Sequence, residues 1–145
     1  MKAVVYDHYG APEVLRLAKL VKPTPADNEV LIAVRAATVA SEDCIFRRGS
    51  PLVSRLATGL LKPKHAVLGS SLAGEVVAIG KTVSRFRPGD RVFGATREGF
   101  GAYAEYHCLA EDGALVGIPG QLGYAEAASI AAGGLTALPF LRDCA

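Results

Sequence analysis

Leu68-Gly69-Ser70-Ser71-Leu72-Ala73-Gly74-Glu75-Val76-Val77-Ala78-Ile79-Gly80, followed shortly by Arg87-Pro88-Gly89-Asp90-Arg91-Val92-Phe93-Gly94, is the stretch that decides the fold. Leu72–Ile79 carries β-branched residues between glycines and predicts a strand. Pro88 presets the first central position of a turn, and Gly89 supplies the positive φ that a type II turn requires. Arg91–Ala95 therefore predicts the next strand, and Tyr103–Leu109 a third, joined through the glycine-rich segment Arg97–Gly101.

Towards the N-terminus, Ser50–Lys64 places Leu52, Val53, Leu56, Leu60 and Leu61 near helical spacing until Pro63 ends the pattern. Ser41–Arg48 predicts a short helix, with Ser41 as N-cap, Glu42 and Asp43 where the helix dipole favours negative charge, and Gly49 as the stop. Glu29–Val39 predicts a core strand and Pro23–Asn28 a loop. Val14, Leu15, Leu17 and Leu20 suggest a less regular strand, and Lys2–Tyr6 the first. Towards the C-terminus the composition shifts at Gly123. Tyr124–Ala132 predicts a helix ended by Gly133-Gly134, and Leu135–Leu141 a second helical run. Short strands with Gly and Pro turns, then helices at the end, predict a mainly β, barrel-like domain with peripheral helices and a helical tail.

At 145 residues the chain has the size of one domain. Half of its residues are hydrophobic and 21% charged, which excludes intrinsic disorder. Charges interrupt every apolar run before a membrane span is reached, and the first residues do not form a signal peptide. A net charge of +2 gives no global sign of nucleic-acid binding. Cys44, Cys108 and Cys144 are odd in number and widely spaced, the usage expected of reduced thiols in the cytoplasm.

The residues alone announce no catalytic set: no glycine-rich nucleotide loop, nucleophile elbow or HExxH is present. Cys44, His65 and Cys108 share no ligand spacing, so no metal site is expected. Between Asp43 and Glu75 stand Arg47, Arg48, Arg55, Lys62 and Lys64 with no acidic residue. Such a stretch reads either as an attractor for an anionic ligand or as a solvated face.

Five blocks in register resemble the medium-chain dehydrogenase/reductase superfamily. They are Val39-Ala40-Ser41-Glu42-Asp43 with Arg47-Arg48-Gly49, then Leu68–Val76 with Ile79-Gly80, then Phe86–Gly94, then Gly101-Ala102-Tyr103-Ala104-Glu105-Tyr106, and finally Ala127-Ala128 leading to Gly134-Leu135-Thr136-Ala137. The match is to the N-terminal, GroES-like catalytic domain, on the branch that includes zinc-free quinone oxidoreductases. The resemblance implies a partly open GroES-like β-barrel over residues 1–123, with 124–145 as a helical connection. It also implies that the chain is a fragment, since the resembling enzymes continue into a Rossmann domain holding the dinucleotide.

What the resemblance implies for function rests on named positions. Zinc-dependent alcohol dehydrogenases carry a Cys where Ala40 stands and a His-Glu pair where Ser70-Ser71 stands, so the catalytic zinc ligands are absent. Quinone reductases commonly carry an Asn at the Ala40 position and a Tyr at the Ile45 position. The resemblance thus implies an NADPH-dependent, zinc-independent oxidoreductase passing hydride to a quinone, enone or carbonyl. Thr136 and Ser41 are the expected cofactor contacts. Ala40, Ile45 and Ser71 are the expected substrate-cleft residues, with Ser50–Lys64 as a lid or simply as core packing. The alternative is a non-catalytic GroES-like binding or assembly module. The expected partners are a small-molecule substrate and a second copy meeting it through the C-terminal helical segment, with neither nucleic acid nor membrane.

Overall fold

The computed structural model describes residues 1–96 and 100–143, apart from the side chain at position 57. Its strands are β1 (Lys2–Val5), β2 (Arg16–Lys19), β3 (Glu29–Ala37), β4 (Ser71–Ile79), β5 (Arg91–Ala95), β6 (Tyr106–Ala110) and β7 (Leu115–Gly117). The helices are α1 (Ser41–Arg48), α2 (Ser54–Thr58) and α3 (Tyr124–Asp143). β1 and β2 form an antiparallel pair. The other five make one antiparallel sheet in the order β6-β3-β4-β5-β7.

β3 and β4 lie at the centre because they are the longest apolar runs, and a central strand can bury both faces. Their pairing slips between Leu31 and Ile32 and again between Val34 and Ala36, irregularities of the kind that bend a sheet. The sheet curls into a half-barrel. Val30, Ile32, Leu72, Val76, Phe86, Val92, Ala102, Leu109 and Leu115 fill its inside. Each such aliphatic side chain withdrawn from water contributes about 1.5–3 kcal/mol. On the opposite face Ala73 packs against Ala127 and Ala128 of α3, small side chains that let helix and sheet approach closely. The turn at Arg87–Asp90 forms as expected: Asp90 N donates to Arg87 O at 3.1 Å, and Gly89 takes φ +96°.

The mainly β architecture with peripheral helices is the one expected from sequence, and several local expectations are corrected. Ser50–Lys64 is helical only over Ser54–Thr58, because Gly59 takes φ +121° and the chain folds back so that Lys64 N reaches Thr58 O. The strand expected from Tyr103 starts at Tyr106, since Tyr103 O and Ala104 are already paired with β1. The strand expected over Val14–Leu20 is confined to Arg16–Lys19, preceded by a 3₁₀ turn at Pro12–Val14. β7 carries three residues and no pattern that sequence reasoning had marked. Ser41 is the first helical residue and not the N-cap, a place taken by Ala40. The two helices expected after Gly123 are one continuous α3, running through Gly133-Gly134 and Pro139. Residues 97–99 of the expected Arg97–Gly101 connection, and Cys144, lie outside the described residues.

Candidate functional site

α1 begins beside the first residues of β4, and α3 crosses the same end of the sheet. Where they converge, a cleft of about 420 Å³ opens. Thr38, Ala40 and Glu42 line it from the α1 side, Ser70 and Ser71 from β4, and Ser129, Ala132, Gly133, Thr136 and Ala137 from α3. Hollows of similar size lie elsewhere, among them an almost wholly apolar groove of about 470 Å³ between α3 and the β5–β7 edge. The cleft at α1 is distinguished by the hydroxyls and the carboxylate that meet there.

Strand alternation puts Ser71 on the same side of β4 as Ala73, the side covered by α3. Ser71 is 1% exposed and Ser70 5%, and neither hydroxyl has a hydrogen-bond partner among the described residues. A buried hydroxyl left unpaired costs about 1–3 kcal/mol, and orphaned groups of this kind in native proteins call for an explanation, such as a water or ligand. Thr136 Oγ1 donates to Ala132 O at 3.0 Å, the usual bond of a helical threonine. Its single proton is thereby spent, and the oxygen presents only lone pairs to the cleft.

One residue holds the cleft's wall in place. Asp43, 3% exposed, accepts from Ala40 N at 2.8 Å through Oδ2 and from Gly69 N at 3.1 Å through Oδ1. The hydroxyl of Tyr103 lies 2.8 Å from Asp43 Oδ2 and 3.1 Å from Thr38 O, sharing its proton between the two. Burial, and then the bond to Asp43, push the Tyr103 phenol well above the ordinary tyrosine range, so it stays a neutral donor. Gly69 can serve here because it takes φ +105° with its Cα against the Tyr103 ring, where an added Cβ would come within 2.7 Å of Tyr103 Cδ1. The buried Arg47 guanidinium donates to Gly10 O, fastening the far end of α1 to the β1–β2 connection.

Of the residues singled out from sequence, the cleft gathers Ala40, Ser71 and Thr136. Ser41 is exposed on the first turn of α1 and Ile45 is 40% exposed, and neither lines the cleft. The Ser50–Lys64 segment does not line it either. Glu42, Ser70, Ser129 and Gly133 were not marked as cleft residues, and Asp43 was read only as a helix-dipole charge. The spacing of Asp43 three residues after Ala40 is the signal that could have marked it as a cap. Among the described residues no three His, Cys, Asp or Glu side chains are grouped as a metal site requires, and no helix is long and apolar enough to cross a membrane.

Comparison with known proteins agrees with this geometry. Residues 26–139 match the alcohol dehydrogenase GroES-like domain. The quinone oxidoreductase of Pseudomonas aeruginosa is 38% identical over 142 residues, covering 98% of this chain and 41% of that protein. The human quinone oxidoreductase is 37% identical, over 90% of this chain and 37% of its own. Among solved structures, the quinone oxidoreductase from Coxiella burnetii superposes with a TM-score of 0.85 at 34% identity, over 99% of this chain and 44% of that one. The Escherichia coli quinone oxidoreductase complexed with NADPH does so with a TM-score of 0.82 at 26% identity, over 99% and 41%. The chain thus spans about two fifths of the length of the relatives it matches. A half-barrel crossed by one long helix, with its cleft at the start of α1 and a family match over most of its length, belongs to the alcohol dehydrogenase GroES-like domain family, within the medium-chain dehydrogenase/reductase superfamily and related to its quinone oxidoreductases.

Proposed function

We propose that this domain is the substrate-side half of an NADPH-dependent, zinc-independent oxidoreductase acting on a quinone, enone or carbonyl. The observation that carries the reading is the meeting of Ala40, Ser71 and Thr136 on one cleft, with orphaned serine hydroxyls at its floor. A methyl group and two hydroxyls stand at positions 40, 70 and 71, a donor set unsuited to zinc, which takes thiolate, imidazole or carboxylate. The NADPH-bound relative supports the choice of cofactor.

Bound NADPH would supply the hydride; the chain's own residues would position and polarise. Thr136, its proton held by Ala132 O, is set to accept from a carboxamide N–H. Ser70 and Ser71 keep unspent O–H donors, which suit a carbonyl oxygen gaining charge as hydride arrives. Water reaching the open cleft would return the proton. Catalysis in such a site rests on orientation more than on an acid–base pair. The exposed row Ile130, Leu135, Leu138, Phe140 and Leu141 on α3 supports the partner expected from sequence, a second copy meeting that helix.

Titrating the isotope-labelled chain with NADPH tests the reading by amide chemical shifts. Millimolar binding is expected, because the cleft can hold only the nicotinamide end. The shifts should centre on Ala40, Ser71, Gly133 and Thr136, and dialysis against a chelator should leave them unchanged. No shift, a pattern centred elsewhere, or binding that needs added zinc would overturn it.

A further inference from the structure

The segment from Pro51 to Lys64 is folded inside out. The polar side chains of its helical turn, Ser54, Arg55 and Thr58, face the protein. Thr58 is 1% exposed, with Oγ1 donating to Ser54 O at 3.1 Å and lying 2.8 Å from the Tyr9 hydroxyl, which itself donates to Gly59 O. Arg55 donates to Gly49 O at 3.0 Å and stacks over the Tyr9 ring. Its aliphatic residues face outward: Leu52, Val53, Leu56, Leu60 and Leu61 are between 66% and 90% exposed. Because the inner side is fixed at Tyr9 and Gly49, this exposure belongs to the fold. A segment that buries Thr58 and half-buries Arg55 while presenting five large aliphatic side chains has its apolar face turned towards something other than its own core.

Charge identifies the occupant. No acidic residue occurs between Asp43 and Glu75, and Arg48, Lys62 and Lys64 are exposed around the aliphatic row. A second copy would bring two cationic faces together. A nucleic acid would find aliphatic tips and no aromatic platform to stack on. An apolar surface lined with negative charge satisfies both the leucines and the lysines, and that is an anionic bilayer. We propose that residues 51–64 form a membrane-surface anchor: the aliphatic row enters the headgroup region while Arg48, Lys62 and Lys64 meet anionic headgroups. With no helix among the described residues able to span, the chain would lie on the membrane and not cross it. The anchor is independent of the cleft and stands whether or not the proposed oxidoreductase function does.

Vesicle flotation tests it. The chain is mixed with phosphatidylcholine vesicles, or with vesicles of equal parts phosphatidylcholine and phosphatidylglycerol, at low and high salt. It should float with the mixed vesicles, with an affinity roughly tenfold or more above that for phosphatidylcholine alone, and high salt should reduce the difference. Leu56→Asp with Leu61→Asp should abolish flotation, and Lys62→Glu with Lys64→Glu should remove the preference for phosphatidylglycerol. All four side chains are exposed, so circular dichroism of the variants should match the wild type. Failure to float with mixed vesicles at low salt, indifference to lipid charge, or undiminished flotation of the aspartate variant overturns the proposal. So does an oligomer that forms without lipid and is dissolved by the aspartate pair.

Discussion

Asp43 joins three pieces of chain that are remote in sequence. Its carboxylate caps α1 at Ala40, holds the Gly69 amide 26 residues away, and meets the Tyr103 hydroxyl 60 residues away. Replacing it with Asn would keep one acceptor and turn an NH₂ group towards N–H and O–H donors, leaving buried groups unpaired. Asp43→Asn should therefore destabilise the chain by about 3 kcal/mol, read from the urea unfolding midpoint. An unchanged midpoint would mean that water replaces the carboxylate at no cost. The start of α1 was legible in the sequence, but its cap was placed at Ser41 and the local Ala40–Asp43 bond was not read. The contacts to Gly69 and Tyr103 were not legible, because only the curl of the sheet brings those residues to the end of α1. Ser71 and Thr136 could be named from the resemblance, whereas the orphaned state of the Ser71 hydroxyl is a property of packing that no string of residues displays.

At the scale of elements, α3 shows how local punctuation can mislead. Gly133-Gly134 reads as a helix stop, since Gly costs about 1 kcal/mol relative to Ala within a helix and is favoured just past its end. The structure carries the helix on past both glycines and Pro139, with Ala127, Ala128 and Ala131 fixing its first half on the sheet. The two arrangements predict opposite signs for one substitution. A Cβ added at Gly133 meets nothing within 4 Å, so Gly133→Ala should stabilise the chain, by up to about 1 kcal/mol. Were Gly133 a left-handed cap, the same change would destabilise it, and chemical denaturation distinguishes the two. The 52–61 row failed in a different way. Its helical spacing was visible, but periodicity says only that apolar residues share a face and not whether that face meets core or solvent.

For the molecule as a whole, acid stability should be set partly by His107. This ring on β6 lies over Gly101, where an added Cβ would come within 2.3 Å of it. Burial lowers its pKa below the ordinary 6.5, partly opposed by the Glu29 carboxylate. In the unfolded chain the imidazole titrates near the ordinary value, so above it the two states hold equal protons and His107 costs nothing. As pH falls below about 6.5 the unfolded chain takes up the proton first, and stability is lost until the lower folded-state pKa is passed. The thermal midpoint should therefore drop as pH falls through about 6.5, and His107→Gln should flatten that drop. A wild-type profile with the same slope as the variant would remove His107 from the account. The shape of the molecule also turns α3 into a lever. Only its first turns are clamped, at Ala127, Ala128 and Ala131, while its 20 residues extend about 30 Å. Thr136 stands about 12 Å along the axis from Ala128, so a tilt of about five degrees at the clamp displaces its hydroxyl by about 1 Å. That is the margin separating a formed hydrogen bond from a broken one. A grip on the outer half, at Leu138 and Leu141, would therefore be felt at Thr136, and so at the cleft, without touching it.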